Sequence, residues 1–455
     1  MGKYVAYKDS PVKWISRVPT HWKFIRGKNL YEKMQRPVSD TDEVVTCFRD
    51  GTVTLRKNRR TTGFTESLKE IGYQGIRNGD LVIHVMDAFA GAIGVSDSDG
   101  KGTPVYNVCR AKLDINNHYY AFLLREMARA GYIQSLYRGI RERSSDFRFE
   151  VFGAQFYPVP PRSEQDQIVR FLNWKISEIN KLIAIKQKQI GYYNEKLLAV
   201  INDLSTHGVK DNRQYTITSM DWAPEIPQEW MISRIRNHFD IRKRIAGSEG
   251  YDVFSVTQQG LKVRDVNLYE GQLASNYSGY QFVYPGEFAM NHMDLLTGGV
   301  GIADHLGVTS PDYRVFGLFD EEHCYAPYYL RIFQLCYRRH AFYRFGRGAA
   351  NVGRWRLPAT AFKNFEIPLP PYDEQVQIVE AIEKEEEKNK AAIDCLKRQI
   401  DVLVELKKRI ISDVVTGKID VRDIEIPEYE FLTEENNTSK ASETEPCIVL
   451  EEIDG

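Results

Sequence analysis

The sequence has few cysteines, no long apolar run and no recognisable enzyme signature, and each shortage narrows what the chain can be. Its six cysteines, at positions 47, 109, 324, 336, 395 and 447, include no Cys-x2-Cys pair. Neither a disulfide framework nor a structural zinc site is expected, and a reducing cytoplasm is the expected setting. No apolar stretch approaches the roughly 18–20 residues that cross a bilayer. The opening MGKYVAYKDSPVKW lacks the apolar core and small-residue cleavage site of a signal peptide. With 455 residues, 42% of them hydrophobic and 27% charged, two domains of ordinary size are expected rather than one.

A net charge of -1 conceals an asymmetry. From Asp423 to Gly455 eleven acidic residues stand against one basic residue, Lys440, which leaves 60 basic against 51 acidic in residues 1–422. A body with that positive excess suits a polyanionic partner. The tail, 421–455, with NNTSKASETEP in it, is expected to be a disordered, solvated extension.

What is present is a sequence repeated within itself. Trp14-x4-Pro19-x2-Trp22 returns as Trp222-x4-Pro227-x2-Trp230, an offset of 208 positions. Gly72-Tyr73-Gln74, Gly79, Met86-Asp87, Gly91, Gly94, Pro104, Tyr106 and Val108 return 207 positions later as Gly279-Tyr280-Gln281, Gly286, Met293-Asp294, Gly298, Gly301, Pro311, Tyr313 and Val315. Tyr137-Arg138-x2-Arg141 corresponds to Tyr343-Arg344-x2-Arg347, and Pro160-Pro161-x2-Glu164-Gln165 to Pro370-Pro371-x2-Glu374-Gln375. The order is kept throughout, so two similar units precede the tail.

Before each double proline, short apolar stretches such as Leu81-Val82-Ile83 and Phe288-Ala289-Met290, broken by Gly and Pro, predict a mixed α/β (α+β) globular domain. After it the pattern is helical, with Ser163 and Asp373 as expected N-caps and Asp166 completing a capping-box arrangement in the first. Both helices carry heptads. The first seam runs through Leu172, Ile176, Ile179, Ile183, Ile190 and Leu197, interrupted by Lys186. The second runs through Ile382, Ile393, Leu396, Ile400, Leu403 and Ile410, with Glu386, Asn389 and Lys407 intruding. Periodicity of this length predicts coiled-coil packing, most simply of one helix on the other, each about 65 Å long at ~1.5 Å per residue.

Enzyme motifs fail on spacing. Gly94 to Gly102 resembles a phosphate loop, but Gly102 stands where Ser or Thr must bind magnesium, so a surface turn is expected. Phe89-Ala-Gly91-Ala-Ile-Gly94 shares only its glycines with its partner in the second copy, and Leu369-Pro370-Pro371-Tyr372 lacks the Asn or Asp that an amino-methyltransferase needs. His84 and Asp87 could form an acid-base or metal pair, but the second copy has Asn291 and Asp294, so a polar pair beside a strand is the simpler reading. His292 and His305 lack metal-ligand spacing. No catalytic, cofactor or metal residue is assigned.

Basic and aromatic residues placed together are what remains. The candidates for nucleic-acid contact are Arg56, Lys57, Arg59 and Arg60; Tyr137, Arg138, Arg141, Arg143 and Arg148; Arg242, Lys243 and Arg244; and Tyr343, Arg344, Arg347, Arg354 and Arg356. Arginine binds phosphates or guanine edges, and tyrosine can donate to phosphate oxygens.

The ordered plan, spanning nearly all of residues 10–420, resembles the specificity subunit of type I restriction-modification systems. The Trp-x4-Pro-x2-Trp openings, the Pro-Pro-x2-Glu-Gln helix starts and the helix ends at Thr206 and Val415-Thr416-Gly417 carry it. The resemblance implies target-recognition domains at 1–160 and 211–370, antiparallel spacer helices at 161–210 and 371–420, and a split, asymmetric double-stranded DNA target. It implies two methyltransferase subunits and restriction subunits as partners, with S-adenosylmethionine, ATP and magnesium on those partners and no chemistry in this chain. The alternatives are a standalone nuclease or methyltransferase fused to a coiled coil, and a structural coiled-coil adaptor.

Overall fold

The computed structural model describes residues 2–59, 71–136, 146–264, 276–347 and 356–430. The chain divides into two compact units, one of residues 1–188 with 396–455, the other of residues 189–395. Each unit takes a head and a part of both long helices, so compactness does not break at residues 160, 210 or 370.

In the first unit a four-stranded antiparallel sheet is built from β1 (Tyr31–Lys33), β2 (Leu81–His84), β3 (Ile93–Val95) and β4 (Tyr106–Ala111), in the order β1-β4-β2-β3. Helix α1 (Asn117–Arg129) lies on it, capped by the Asn116 side chain, which accepts from the backbone of His118 and Tyr119. The long helix α2 follows (Arg162–His207). In the second unit β5 (Phe239–Arg242), β6 (Phe288–Met290), β7 (Val300–Ile302) and β8 (Arg314–Leu318) repeat the same order as β5-β8-β6-β7. Helix α3 (Ala326–Arg338) and the long helix α4 (Tyr372–Val415) complete it. The sheets are antiparallel, so the mixed fold is of the α+β kind. Gly94 and Gly301 recur because their strands pass against backbone: a Cβ would lie 1.9 Å from the Gly51 carbonyl oxygen, or 2.4 Å from the Leu261 nitrogen.

Each core joins head to helices. In the first, Trp22, Tyr119, Leu123 and Phe152 share a cluster with Ile168 and Leu172 of α2 and with Val414 and Val415 at the end of α4. In the second, Trp230, Tyr328 and Phe333 share one with Ile201 of α2 and Ile378 and Ile382 of α4. Paired tyrosines draw these parts together. Tyr119 Oη donates to the Val415 carbonyl (3.1 Å) and Tyr120 Oη to that of Pro158 (3.5 Å). Tyr328 does the same to Ser205 (3.0 Å) and Tyr329 to Pro368 (3.2 Å).

The helices differ from expectation at their starts. They begin one residue earlier, at Arg162 and Tyr372, and the amides of residues 164, 165, 374 and 375 bond the carbonyls of Pro161 and Pro371. Ser163 and Asp373 are therefore first-turn residues, not N-caps, and Asp166 accepts from Arg162 and Asn116. The seam residues Leu172, Ile179 and Ile382 are buried, and Ile176, Ile183, Ile190, Leu197, Ile393, Leu396, Ile400, Leu403 and Ile410 are half-buried. Three of the polar intrusions, Lys186, Lys407 and Glu386, have partners. In the first unit Lys186 Nζ donates to Gln399 Oε1 (2.6 Å) and Lys407 Nζ to Asn180 Oδ1 (3.3 Å), a rising number against a falling one, so the helices run antiparallel there. In the second, Glu386 turns to its head and takes a fork from Arg331 at 2.9 and 2.7 Å.

Two further expectations change. Gly100–Gly102 is a strand paired with Gln74–Ile76, its glycines buried, because Glu43 and Ile76 leave no room for side chains; it is not a surface turn. The first part of the tail, residues 421–430, packs on α2: Gln167 Nε2 donates to the carbonyls of Val421 (3.0 Å) and Ile424 (2.7 Å), and Ser177 Oγ to that of Glu430 (2.7 Å). Val421, Ile424 and Ile426 supply apolar surface that a solvated extension lacks. Residues 431–455 lie outside the described residues. Among the described residues no helix is long and apolar enough to cross a membrane.

Candidate nucleic-acid interface

The two arginine-rich loops rejoin their heads in matching ways. In the first unit the loop at 137–145 lies outside the described residues, and with it Tyr137, Arg138, Arg141 and Arg143. Its return is fixed: the Phe147 amide bonds the Val85 carbonyl (3.2 Å), and Asn107 Nδ2 donates to the Phe147 carbonyl (3.0 Å). In the second unit the Leu357 amide bonds the His292 carbonyl (2.9 Å), and Arg314 Nη2 donates to the Leu357 carbonyl (2.7 Å). Asn107 and Arg314 occupy matching positions on β4 and β8, so one anchor serves both heads.

The second loop closes between two candidates. Arg347 and Arg356 exchange backbone hydrogen bonds at 2.9 and 3.2 Å, which sets two exposed arginines side by side at its base. Arg354 lies outside the described residues. Tyr343 packs on the core, while Arg344 pairs with Asp221 and stands over the Phe345 ring at 4.7 Å. Beneath this base lie Arg314, which carried no signal in the sequence, and His292, weighed there only as a metal ligand. Arg314 is 6% exposed, and its Nη1 and the His292 Nδ1 have no hydrogen-bond partner among the described residues. Burial pushes the Arg314 guanidinium down to about 10. Burial first, then the charges of Arg314 and Arg356, pushes His292 down to about 4, so it is neutral near pH 7. A single arginine within a strand carries no local signal; only its equivalence to Asn107 exposes it.

The other clusters divide. Arg242 binds Glu287 at 2.6 Å, and Arg244 binds the same carboxylate and covers the Tyr284 ring at 4.4 Å. Glu287 is 3% exposed; burial raises its pKa, but the two guanidiniums and the Tyr284 amide outweigh that and hold it below the usual carboxylate range. These arginines neutralise a buried charge, whereas Lys243 between them is exposed. Arg59 pairs with Asp50 at 2.6 Å and lies over Phe48 at 4.3 Å. Arg56 reaches Thr46 (3.5 Å), Lys57 pairs with Glu43 (2.5 Å), and Arg60 lies outside the described residues. Arg148 is exposed and held by Asp146 at 2.6 Å. His84 accepts from the Asp87 amide (3.2 Å), and Asp87 pairs with Arg49 (3.0 Å).

A family model described as the type I restriction modification DNA specificity domain matches residues 230–398, the stretch that runs from Trp230 through the second sheet and into α4. The Methanocaldococcus jannaschii chain assigned as type I restriction enzyme MjaX specificity subunit is 21% identical over 324 residues, 68% of this chain and 70% of its own. The MjaVIII specificity subunit of the same organism is 20% identical over 284 residues, 59% of this chain and 63% of its own. The chain is thus similar to type I specificity subunits, over residues 230–398 by the family model and over about two thirds of its length by the MjaX chain. The fold agrees: a chain from a solved structure of complex assembly and conformational transition in the type I R-M system superposes with a TM-score of 0.59 at 14% identity, covering 90% of this chain and 100% of that one. In this chain the repeated motifs are structural. Trp22 and Trp230 each donate an indole N–H to the glutamate of the following Pro-Pro-x2-Glu-Gln, Glu164 at 2.9 Å and Glu374 at 3.3 Å. The adjoining Gln165 and Gln375 each accept from the backbone amide of the residue just before the head helix, Asn116 and Tyr325, at 2.8 Å, and donate to the carbonyl of the first proline of their own motif.

Proposed function

We propose that the chain selects the DNA sequence for a type I restriction-modification complex, each head reading one part of a bipartite, asymmetric target. The observation that carries this is the pair of arginine-rich loops hung from one common anchor on two sheets of equal strand order, with Asn107 in one head and Arg314 in the other. Equal frames with unequal loops suit two different half-sites. The chain performs no chemistry itself. Helices α2 and α4 act as the coiled-coil spacer between target-recognition domains and as the seat for two methyltransferase subunits, which restriction subunits join in the cytoplasm. Leu182, Ile185, Val402 and Leu406, apolar yet 47, 52, 67 and 43% exposed on these helices, support such docking. S-adenosylmethionine, ATP and magnesium belong to those partners.

The test exchanges residues 10–160 for the equivalent region of a relative and maps the methylated sequence with partner subunits present. One half of the target should change while the other stays. If both halves change together, or if the chain without partners modifies DNA, the reading fails.

A further inference from the structure

Three side chains of the second unit, remote in sequence, converge. His238 precedes β5, Asp320 follows β8 and Cys324 lies just before α3, yet each offers a ligand atom within 4.8 Å of the others. His238 and Cys324 are 6% and 2% exposed. His238 Nδ1 lies 2.6 Å from Asp320 Oδ2, and its Nε2 lies 2.7 Å from Ser233 Oγ. His323 Nδ1 is 2.8 Å from the other oxygen of Asp320.

The first unit shows what the fold itself requires here. Two landmarks align the heads. The Lys112 amide bonds the Leu30 carbonyl as the Phe319 amide bonds that of His238, and Asn116 bonds Gln165 as Tyr325 bonds Gln375. Leu30 therefore stands for His238 and Ile115 for Cys324. The connection between the landmarks is longer in the second unit, and Asp320 lies in it. Leu30 and Ile115 are buried core hydrocarbon. The same frame is thus built with no polar group in the places of His238 and Cys324, so these two side chains are additions to it and not requirements of the fold.

We propose that His238, Asp320 and Cys324 form a zinc site. Imidazole nitrogen, carboxylate oxygen and thiolate sulfur are zinc's ordinary donors, and three protein ligands leave a fourth position to water. The ion takes the place of the proton between His238 Nδ1 and Asp320. Nε2–H then donates to Ser233 Oγ, the outer hydrogen bond that fixes tautomer and ring orientation, and His323 steadies the remaining carboxylate oxygen. The site is a clamp, not a catalyst. It ties the loop before α3 to the edge of the sheet, and that loop also receives Gln375 Nε2 on the His323 carbonyl at 2.7 Å, so the ion secures the seat of α4.

The experiment uses the full chain stripped of metal. Zinc chloride should restore one zinc ion per chain and raise the thermal midpoint reversibly against a chelator. Cobalt(II) should give a thiolate charge-transfer band with d–d bands of tetrahedral intensity. His238→Leu combined with Cys324→Ile, the residues of the first unit, should fold but lose the cobalt bands and the zinc response. Asp320→Asn serves as a second variant if that pair does not fold. Cys395→Ser, which removes an exposed cysteine on α4, should keep them. Failure of the stripped chain to take up zinc, or cobalt bands that survive in the folded double variant, overturns the proposal.

Discussion

Trp22 and Glu164, 142 positions apart, meet in a buried hydrogen bond of 2.9 Å, and the same glutamate accepts from Tyr4 at 2.6 Å and from His21 at 2.7 Å. Glu164 is 3% exposed, so three donors converge on one buried carboxylate and join the opening motif to the first turn of α2. A hydrogen bond to a charged group contributes about 1.5–3 kcal/mol. Glu164→Gln should destabilise the first unit by about 3 kcal/mol, because its amide group would face a donor. Urea unfolding followed by tryptophan fluorescence checks this, and an unchanged midpoint would refute it.

The equivalent site in the second unit is linked to pH. Burial raises the pKa of Glu374, but the Arg213 fork, the Trp230 indole and the nearby Lys210 outweigh it and hold the carboxyl below its ordinary value. A carboxylate with a depressed folded pKa stabilises above its unfolded pKa, about 4.3, and that stability is lost as pH falls through the folded value. Acidification below about pH 4.5 should therefore lower the thermal midpoint of the wild type more steeply than that of Glu374→Gln. Parallel curves would contradict the account.

Arginines of equal sequence appeal should separate by experiment. Arg347→Ala and Arg356→Ala should weaken DNA binding and each reduce the salt slope by about one unit if they contact phosphate, or cost about 1–3 kcal/mol with relaxed specificity if they contact bases. Arg242→Ala and Arg244→Ala should instead lower stability by about 1–3 kcal/mol, since each leaves Glu287 short of a partner. Titrations at several salt concentrations, paired with thermal melts, distinguish the two classes. Equal effects of all four on binding alone would defeat the distinction.

A chain ended after Glu430 keeps every described residue of the tail and serves as the reference for a shorter one. Ending it after Asp420 removes Val421, which is fully buried, and should destabilise the first unit by about 2–4 kcal/mol, from lost apolar burial and from the Gln167 side chain left without its carbonyls. Matching stabilities for the two truncations would show that residues 421–430 do not support the fold.

The duplicated plan, the double prolines and the long helices were legible in the sequence because each is written in local spacing: a repeat near 208 positions, a proline stop, a heptad. Even the helix ends, which differ as Thr206-His207-Gly208 and Thr416-Gly417-Lys418, take the same local geometry. Gly208 and Gly417 both take positive φ, +78° and +74°, and press against the rings of Trp230 and Trp22. What the tertiary structure alone decided is which charges are paired inside a head. Arg242, Lys243 and Arg244 read as one basic run, but Glu287, more than forty residues later, takes two of the three. Arg314 gave no signal in its strand, yet it anchors the loop that carries Arg347 and Arg356. Helix and turn preferences act within a few residues, so the sequence by itself determined the elements and their duplication. The partner of a charged side chain is chosen by packing across the whole unit, which only the folded chain specifies.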